Sequence, residues 1–193
     1  MLTRSNWRVL LMVALSASVA ACEFLTGDAV REWSEDVELD DGDVVTIERR
    51  VEFTKSNSLS GDTYGTSVRK STLAIKGEDT ALPVWNDVLL PLVLYRDQET
   101  DEWVLVASTT SCVTYTSRGR PKPTYWEFRL QSSGWVETAL SPASLERRTN
   151  LLYLYDDPVP RHLTPAGKAS FQSRARTAAR YLSIQTDNTF NCG

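Results

Sequence analysis

Histidine occurs once in this chain of 193 residues, at position 162. That scarcity narrows the chemistry. A Ser-His-Asp triad or a Cys-His pair has one available base, and a zinc site of the usual Cys/His type lacks nitrogen ligands. No Gly-x-Ser-x-Gly elbow, phosphate-cradling glycine loop or dinucleotide fingerprint is present. His162 lies among Asp156, Asp157, Pro158, Pro160 and Arg161, and the segment reads as an exposed loop, not a catalytic base. The acidic residues number 25, and nothing in their spacing singles out a pair for glycoside cleavage. No catalytic residue, metal site or cofactor is expected. An excess of positive charge is also missing. With 21 basic against 25 acidic residues the net charge is −4, so the overall field does not draw the protein to nucleic acid. No apolar run reaches the roughly 20 residues that a spanning helix requires.

The N-terminus is built otherwise. Arg4 and Arg8 give a positive start, residues 9–15 are apolar, and residues 16–21 are small, the three parts of a secretory signal. Val19, Ala20 and Ala21 then precede Cys22, an aliphatic residue and two small ones before a cysteine. Over residues 1–23 the chain resembles the bacterial lipoproteins, whose lipobox has this pattern. The resemblance implies that Cys22 becomes the mature N-terminus, carrying a diacylglyceryl thioether and an N-acyl chain such as palmitate. Each buried methylene contributes roughly 0.8 kcal/mol and two chains already give stable anchoring, so the membrane is the expected partner of that lipid. Glu23, where an aspartate favours inner-membrane retention, implies sorting to the outer membrane, facing the periplasm. The other reading of the same run is an ordinary signal cut near Ala21, which leaves Cys22 a plain thiol. Loss of Arg4 and Arg8 takes the net charge from −4 to −6.

Only Cys112 and Cys192 remain beyond Cys22. In an oxidising compartment an even pair reads as a disulfide, with two buried thiols or a metal pair as the rival readings. A bridge closing about 80 residues contributes roughly 4 to 5 kcal/mol in the chain-entropy model.

The organisation expected is a signal peptide at 1–21, a lipidated tether at 22–32 and a single β-rich domain at 33–193. Val37 and Leu39 alternate with Asp36, Glu38 and Asp40, and Val45, Ile47, Val51 and Phe53 continue beyond Asp41-Gly42-Asp43, which predicts a hairpin. A calcium loop with Gly42 at its sixth position would need oxygen ligands at Val37 and Leu39, so that reading fails. Residues 54–69 are Ser-, Gly- and Thr-rich and predict a long loop. Strands are expected at 71–75, 92–95, 103–107 and 110–115; those at 92–95 and 103–107 are apolar on both parities, as in central strands covered on both faces. Pro91 places the start of its strand after it, or at an edge. A further hairpin spans 124–139, turning at Ser132-Ser133-Gly134, and residues 151–155 predict a last strand. Ser141-Pro142 and Thr164-Pro165 each pair a cap with a proline at the first helical position. The second opens a helix whose stripe is Phe171, Ala175, Ala178 and Leu182.

Two surface features are candidates for binding. Arg118, Arg120 and Lys122 concentrate three cations in seven residues, 117–123, in an otherwise acidic chain; the loop is suited to a carboxylate or phosphate on a partner, or is simply solvated. Trp85 lies between Pro83 and Asn86 in a predicted loop and is the tryptophan expected to be exposed, whereas Trp33, Trp103, Trp126 and Trp135 belong to strands. Trp126-Glu127-Phe128-Arg129 before the Ser-Gly turn and Trp135 faintly resembles uncharacterised lipoproteins of proteobacteria and their prophages. That resemblance implies an envelope accessory, one altering the envelope against phage entry, and carries over no functional residue. The fold expected is mainly β (α+β), an antiparallel, sandwich-like meander of about seven to nine strands with one C-terminal helix. The leading function is a lipid-anchored periplasmic lipoprotein with a non-enzymatic binding or structural role and an envelope protein or glycan as partner; the rival is an envelope-acting hydrolase.

Overall fold

The computed structural model describes residues 28–56, 65–77, 81–153, 159–173, 183–190 and 192. The signal segment and Cys22 lie outside them. Period-two alternation produces the expected hairpin: β1 (Asp28–Glu38) pairs antiparallel with β2 (Val44–Ser56), with Val37 opposite Val45. At the turn the Leu39 N–H donates to the Asp43 carbonyl at 2.8 Å and Gly42 has φ +89°, a conformation that a side chain disfavours. β1 takes in Asp28–Glu32, which the sequence reading assigned to the tether. The sheet therefore begins five residues before Trp33.

β3 (Gly65–Ile75) pairs with β2 from Ile47–Ile75 to Ser56–Gly65, with a register shift at Glu52/Phe53. Much of the loop expected at 54–69 is thus strand. β preference depends on context, and pairing along β2 holds Thr and Ser in a ladder; residues 57–64 lie outside the description. β4 (Trp85–Asp87) and β9 (His162–Leu163) complete a five-stranded sheet in the order β4-β3-β2-β1-β9, with β9 parallel to β1. The second sheet is β5 (Leu90–Arg96), β6 (Trp103–Ser108), β7 (Trp126–Gln131) and β8 (Gly134–Thr138), antiparallel in chain order. The fold is mainly β, as its alternation predicts.

Three consecutive residues show how the layers join. Leu151 sits in the core between the sheets with Val37, Ile47, Leu105 and Phe128; Leu152 joins Trp33, Val51 and Phe171; Tyr153 packs with Val104, Val106 and Ile184 on the far face of the second sheet. A strand would return Leu151 and Tyr153 to the same side. The strand expected at 151–155 is instead an irregular crossing segment at 151–153, and 154–158 lie outside the description.

β5 is apolar on both parities and fully covered through Tyr95, yet it is an edge strand, not a central one. Pro91 is compatible with that edge. Asn150 closes it: its Oδ1 accepts the Leu94 N–H at 2.9 Å and its Nδ2 donates to the Leu94 carbonyl at 2.8 Å, so one side chain does what a neighbouring strand would do. A second departure is α1 (Cys112–Ser117), a short helix where a strand was expected. Ser111 caps it by accepting the Thr114 N–H, and that local bond competes with the β preference of Val113 and Thr114. Pro142–Ser144 forms the expected helical turn. In α2 (Pro165–Ser173) the Gly167 N–H donates to Thr164 Oγ1 at 3.2 Å, as the cap requires. Phe171 is buried; Ala175, Ala178 and Leu182 lie outside the description.

Candidate functional site

The disulfide builds the first site. Cys112 and Cys192 are joined, with Cα atoms 5.5 Å apart, which brings the C-terminal tail against α1. Asn188 continues the seam, its carbonyl accepting the Thr124 N–H at 3.1 Å. Phe190 is thereby set beside Tyr115, ring centroids 5.5 Å apart. After α1 the chain reverses through two left-handed residues, Gly119 at φ +81° and Arg120 at φ +53°, and the Arg120 N–H returns to the Tyr115 carbonyl at 3.0 Å. The result is an open groove of about 760 Å³. Tyr115, Phe190 and Val113 are the apolar part of its lining, and Arg120 and Lys122 line it too. Val113 is 79% exposed.

The three cations of this loop separate. Arg118 grips both carboxylate oxygens of Asp87 through Nη2, at 2.7 and 2.6 Å, and reaches Glu137 through Nη1 at 2.9 Å. Its guanidinium lies 5.8 Å from the Trp126 ring centroid. Arg118 therefore fastens the loop to both sheets. Arg120 and Lys122 are exposed, and neither forms an ion pair with a described residue. Trp85 also differs from expectation. It is 1% exposed and meets Phe128 edge-on at 5.5 Å, because Trp85 pairs with Leu73 in β4 and faces the inter-sheet core.

A second constellation forms at the other edge. Ser34 Oγ is 2.8 Å from His162 Nδ1, and His162 Nε2 is 3.1 Å from Asp36 Oδ2. His162 is on strand β9, not in a loop, and Ser34 faces it across the parallel pairing. The three residue types are those of a hydrolase triad, with the two ring nitrogens exchanged relative to the usual arrangement. The surroundings favour a structural latch. Ser34 sits in the middle of β1, its hydroxyl also donates to the Arg161 carbonyl at 3.2 Å, and its N–H is taken by the same carbonyl at 2.9 Å. An oxyanion needs donors held free for it, and the N–H nearest this hydroxyl is already engaged.

A buried ionic cluster, not expected from the sequence, centres on Glu35. Glu35, fully buried, accepts at Oε1 from Trp33 Nε1 at 3.2 Å and Arg49 Nη1 at 3.1 Å, and at Oε2 from the Leu152 N–H at 3.0 Å, with Lys168 Nζ 3.1 Å from that same Oε2. Lys168 also donates to the Asn150 carbonyl. Burial holds the Lys168 ammonium below the ordinary lysine value, against the opposing pull of the Glu35 carboxylate. This cluster ties β1, β2, the crossing segment and α2 together. A signal for it existed: Glu35 shares parity with Trp33 and Val37, Arg49 with Ile47 and Val51, and Lys168 precedes Phe171 by three on the helix stripe. Charges on apolar faces ask for partners.

Among the described residues no group of three or more His, Cys, Asp or Glu side chains could hold a metal ion, and no helix is long and apolar enough to cross a membrane. No protein-family model matches the chain, and neither a curated protein nor a solved structure does.

Proposed function

We propose that this protein is a lipid-anchored lipoprotein of the cell envelope, held through Cys22 at the outer membrane facing the periplasm, that acts by binding an envelope protein or glycan and not by catalysis. The observation that carries the binding role is the pair of exposed cations, Arg120 and Lys122, lining one groove with apolar residues in an acidic chain. Membrane attachment is supported by the lipobox, and an oxidising compartment by the Cys112–Cys192 bridge. Two measurements test it. Labelled palmitate should enter the wild-type protein and not Cys22→Ser, which should also lose membrane fractionation; an unchanged Cys22→Ser protein ends the anchoring claim. A photo-crosslinker at position 116, an exposed residue of the groove, should capture one defined envelope component that an added Lys122→Glu change releases; equal capture with and without that change ends the binding claim.

Ser34, His162 and Asp36 support a second reading, a hydrolase acting on envelope material. A fluorophosphonate that labels Ser34, and fails to label a His162→Ala protein, would establish it. Absence of labelling at Ser34 removes it.

A further inference from the structure

Side-chain chemistry along the groove restricts what can occupy it. The described residues that line it include no carboxylate and no side-chain amide, so the side-chain acceptors open to sugar hydroxyls are hydroxyls alone. An acyl chain requires an enclosed apolar slot. This groove is open, and the α1 residues Thr116 and Ser117 along it are exposed. Two cations are also too few for a nucleic-acid track. What remains complementary is a compact anion joined directly to an apolar group. Arg120 supplies a planar fork that matches a carboxylate, Lys122 adds a second positive charge, and Tyr115 with Phe190 gives an apolar platform.

We infer that the groove binds the free C-terminal carboxylate of a partner polypeptide whose last residue is apolar. The inference rests on the reading of the Arg120–Lys122 face as a binding surface, and deepens it by naming the ligand. A carboxylate on Arg120 places the terminal side chain over the Tyr115–Phe190 pair, a short reach because all three line one cavity. End-capture of this kind is an established mode of peptide recognition. The volume, about 760 Å³, falls within the range of roughly 300 to 1,000 Å³ typical of sites for small ligands, suited to a chain end and not to a folded surface. Because Phe190 is held two residues from Cys192, the disulfide is part of the site: reducing it frees one wall.

The test is fluorescence anisotropy with the full-length protein in detergent and pools of labelled hexapeptides randomised at their last two positions, made with either a free C-terminal carboxylate or an amide. The free-acid pool should bind, with sequences ending in Leu, Val or Phe enriched. Amidation should weaken binding at least tenfold, as should Arg120→Gln or Phe190→Ala, each checked for an unchanged melting temperature. Dithiothreitol should weaken it too. Palmitate and inorganic phosphate serve as competitors; displacement by either at concentrations below those of the free-acid peptides overturns the inference, as does equal binding of acid and amide pools or no binding at millimolar peptide. Should the peptides fail while the crosslinker at position 116 still captures a Lys122-dependent envelope partner, the binding face stands and the carboxylate ligand alone is refuted.

Discussion

Replacing Glu35 with glutamine preserves the volume of a fully buried side chain and removes its charge. The change leaves Arg49 and Lys168 buried without their counter-ion, and the new amide presents its own N–H groups to donors at 3.0 to 3.2 Å. Breaking a buried pair by removing one partner costs about 3 to 5 kcal/mol. For a chain of this size 1 kcal/mol shifts the melting temperature by roughly 2 to 4 °C, so Glu35→Gln should melt roughly 6 to 20 °C below wild type. Circular dichroism melts with matching urea titrations measure it. Lys168→Met added to Glu35→Gln should recover part of the loss, since one of the stranded cations is then gone; the two changes are in contact and should not add. A shift under about 2 °C for Glu35→Gln, or strict additivity in the double variant, refutes the view that this carboxylate holds the sheet, crossing segment and helix together.

Three further outcomes follow from the same structure. Trp85→Ala should destabilise by about 3 to 5 kcal/mol in a urea titration, because a large buried ring leaves a cavity against Phe128; a change below about 1 kcal/mol would mean the residue is exposed after all. Cys192→Ser opens a covalent loop with sequence separation 80 and should remove up to roughly 4 to 5 kcal/mol, with faster hydrogen exchange at residues 183–190 as the local readout. Lys168 should give a pH signature. Its ammonium is held below the ordinary lysine value by burial, so the folded state releases the proton first. In the window between the folded and unfolded pKa values the unfolded chain binds more protons, and stability rises with pH there. The urea midpoint of wild type should therefore climb relative to that of Lys168→Met in that window, and a parallel course of the two proteins would contradict it.

The elements legible in the sequence are those whose signal is local. The 37–53 hairpin, the 103–107 strand, the hairpin turning at Gly134 and the Thr164-Pro165 helix start each follow from alternation or capping within one segment. The misreadings share the opposite cause. The strand expected at 110–115 is a helix because a single cap at Ser111 outweighs weak β preferences. Residues 54–56 and 65–69 read as loop because Ser, Thr and Gly carry little pattern until β1 supplies an anchored neighbour. Trp85 read as exposed because its three-residue strand is too short to show a period.

At the candidate site the loop was found and its division of labour was not. Sequence alone determined that three cations cluster at 118–122, that two cysteines were available to pair, and that an aliphatic and two small residues precede Cys22. Composition and spacing within one stretch of chain suffice for these. Tertiary structure decided that Asp87 and Glu137 claim Arg118 while Arg120 and Lys122 remain at the groove, that Phe190 arrives beside Tyr115, and that Glu35 meets Lys168. Each of those outcomes is a choice of partner between segments from 19 to 133 residues apart, and partner choice depends on which faces the packed layers bring within hydrogen-bonding distance, a quantity that no single segment contains.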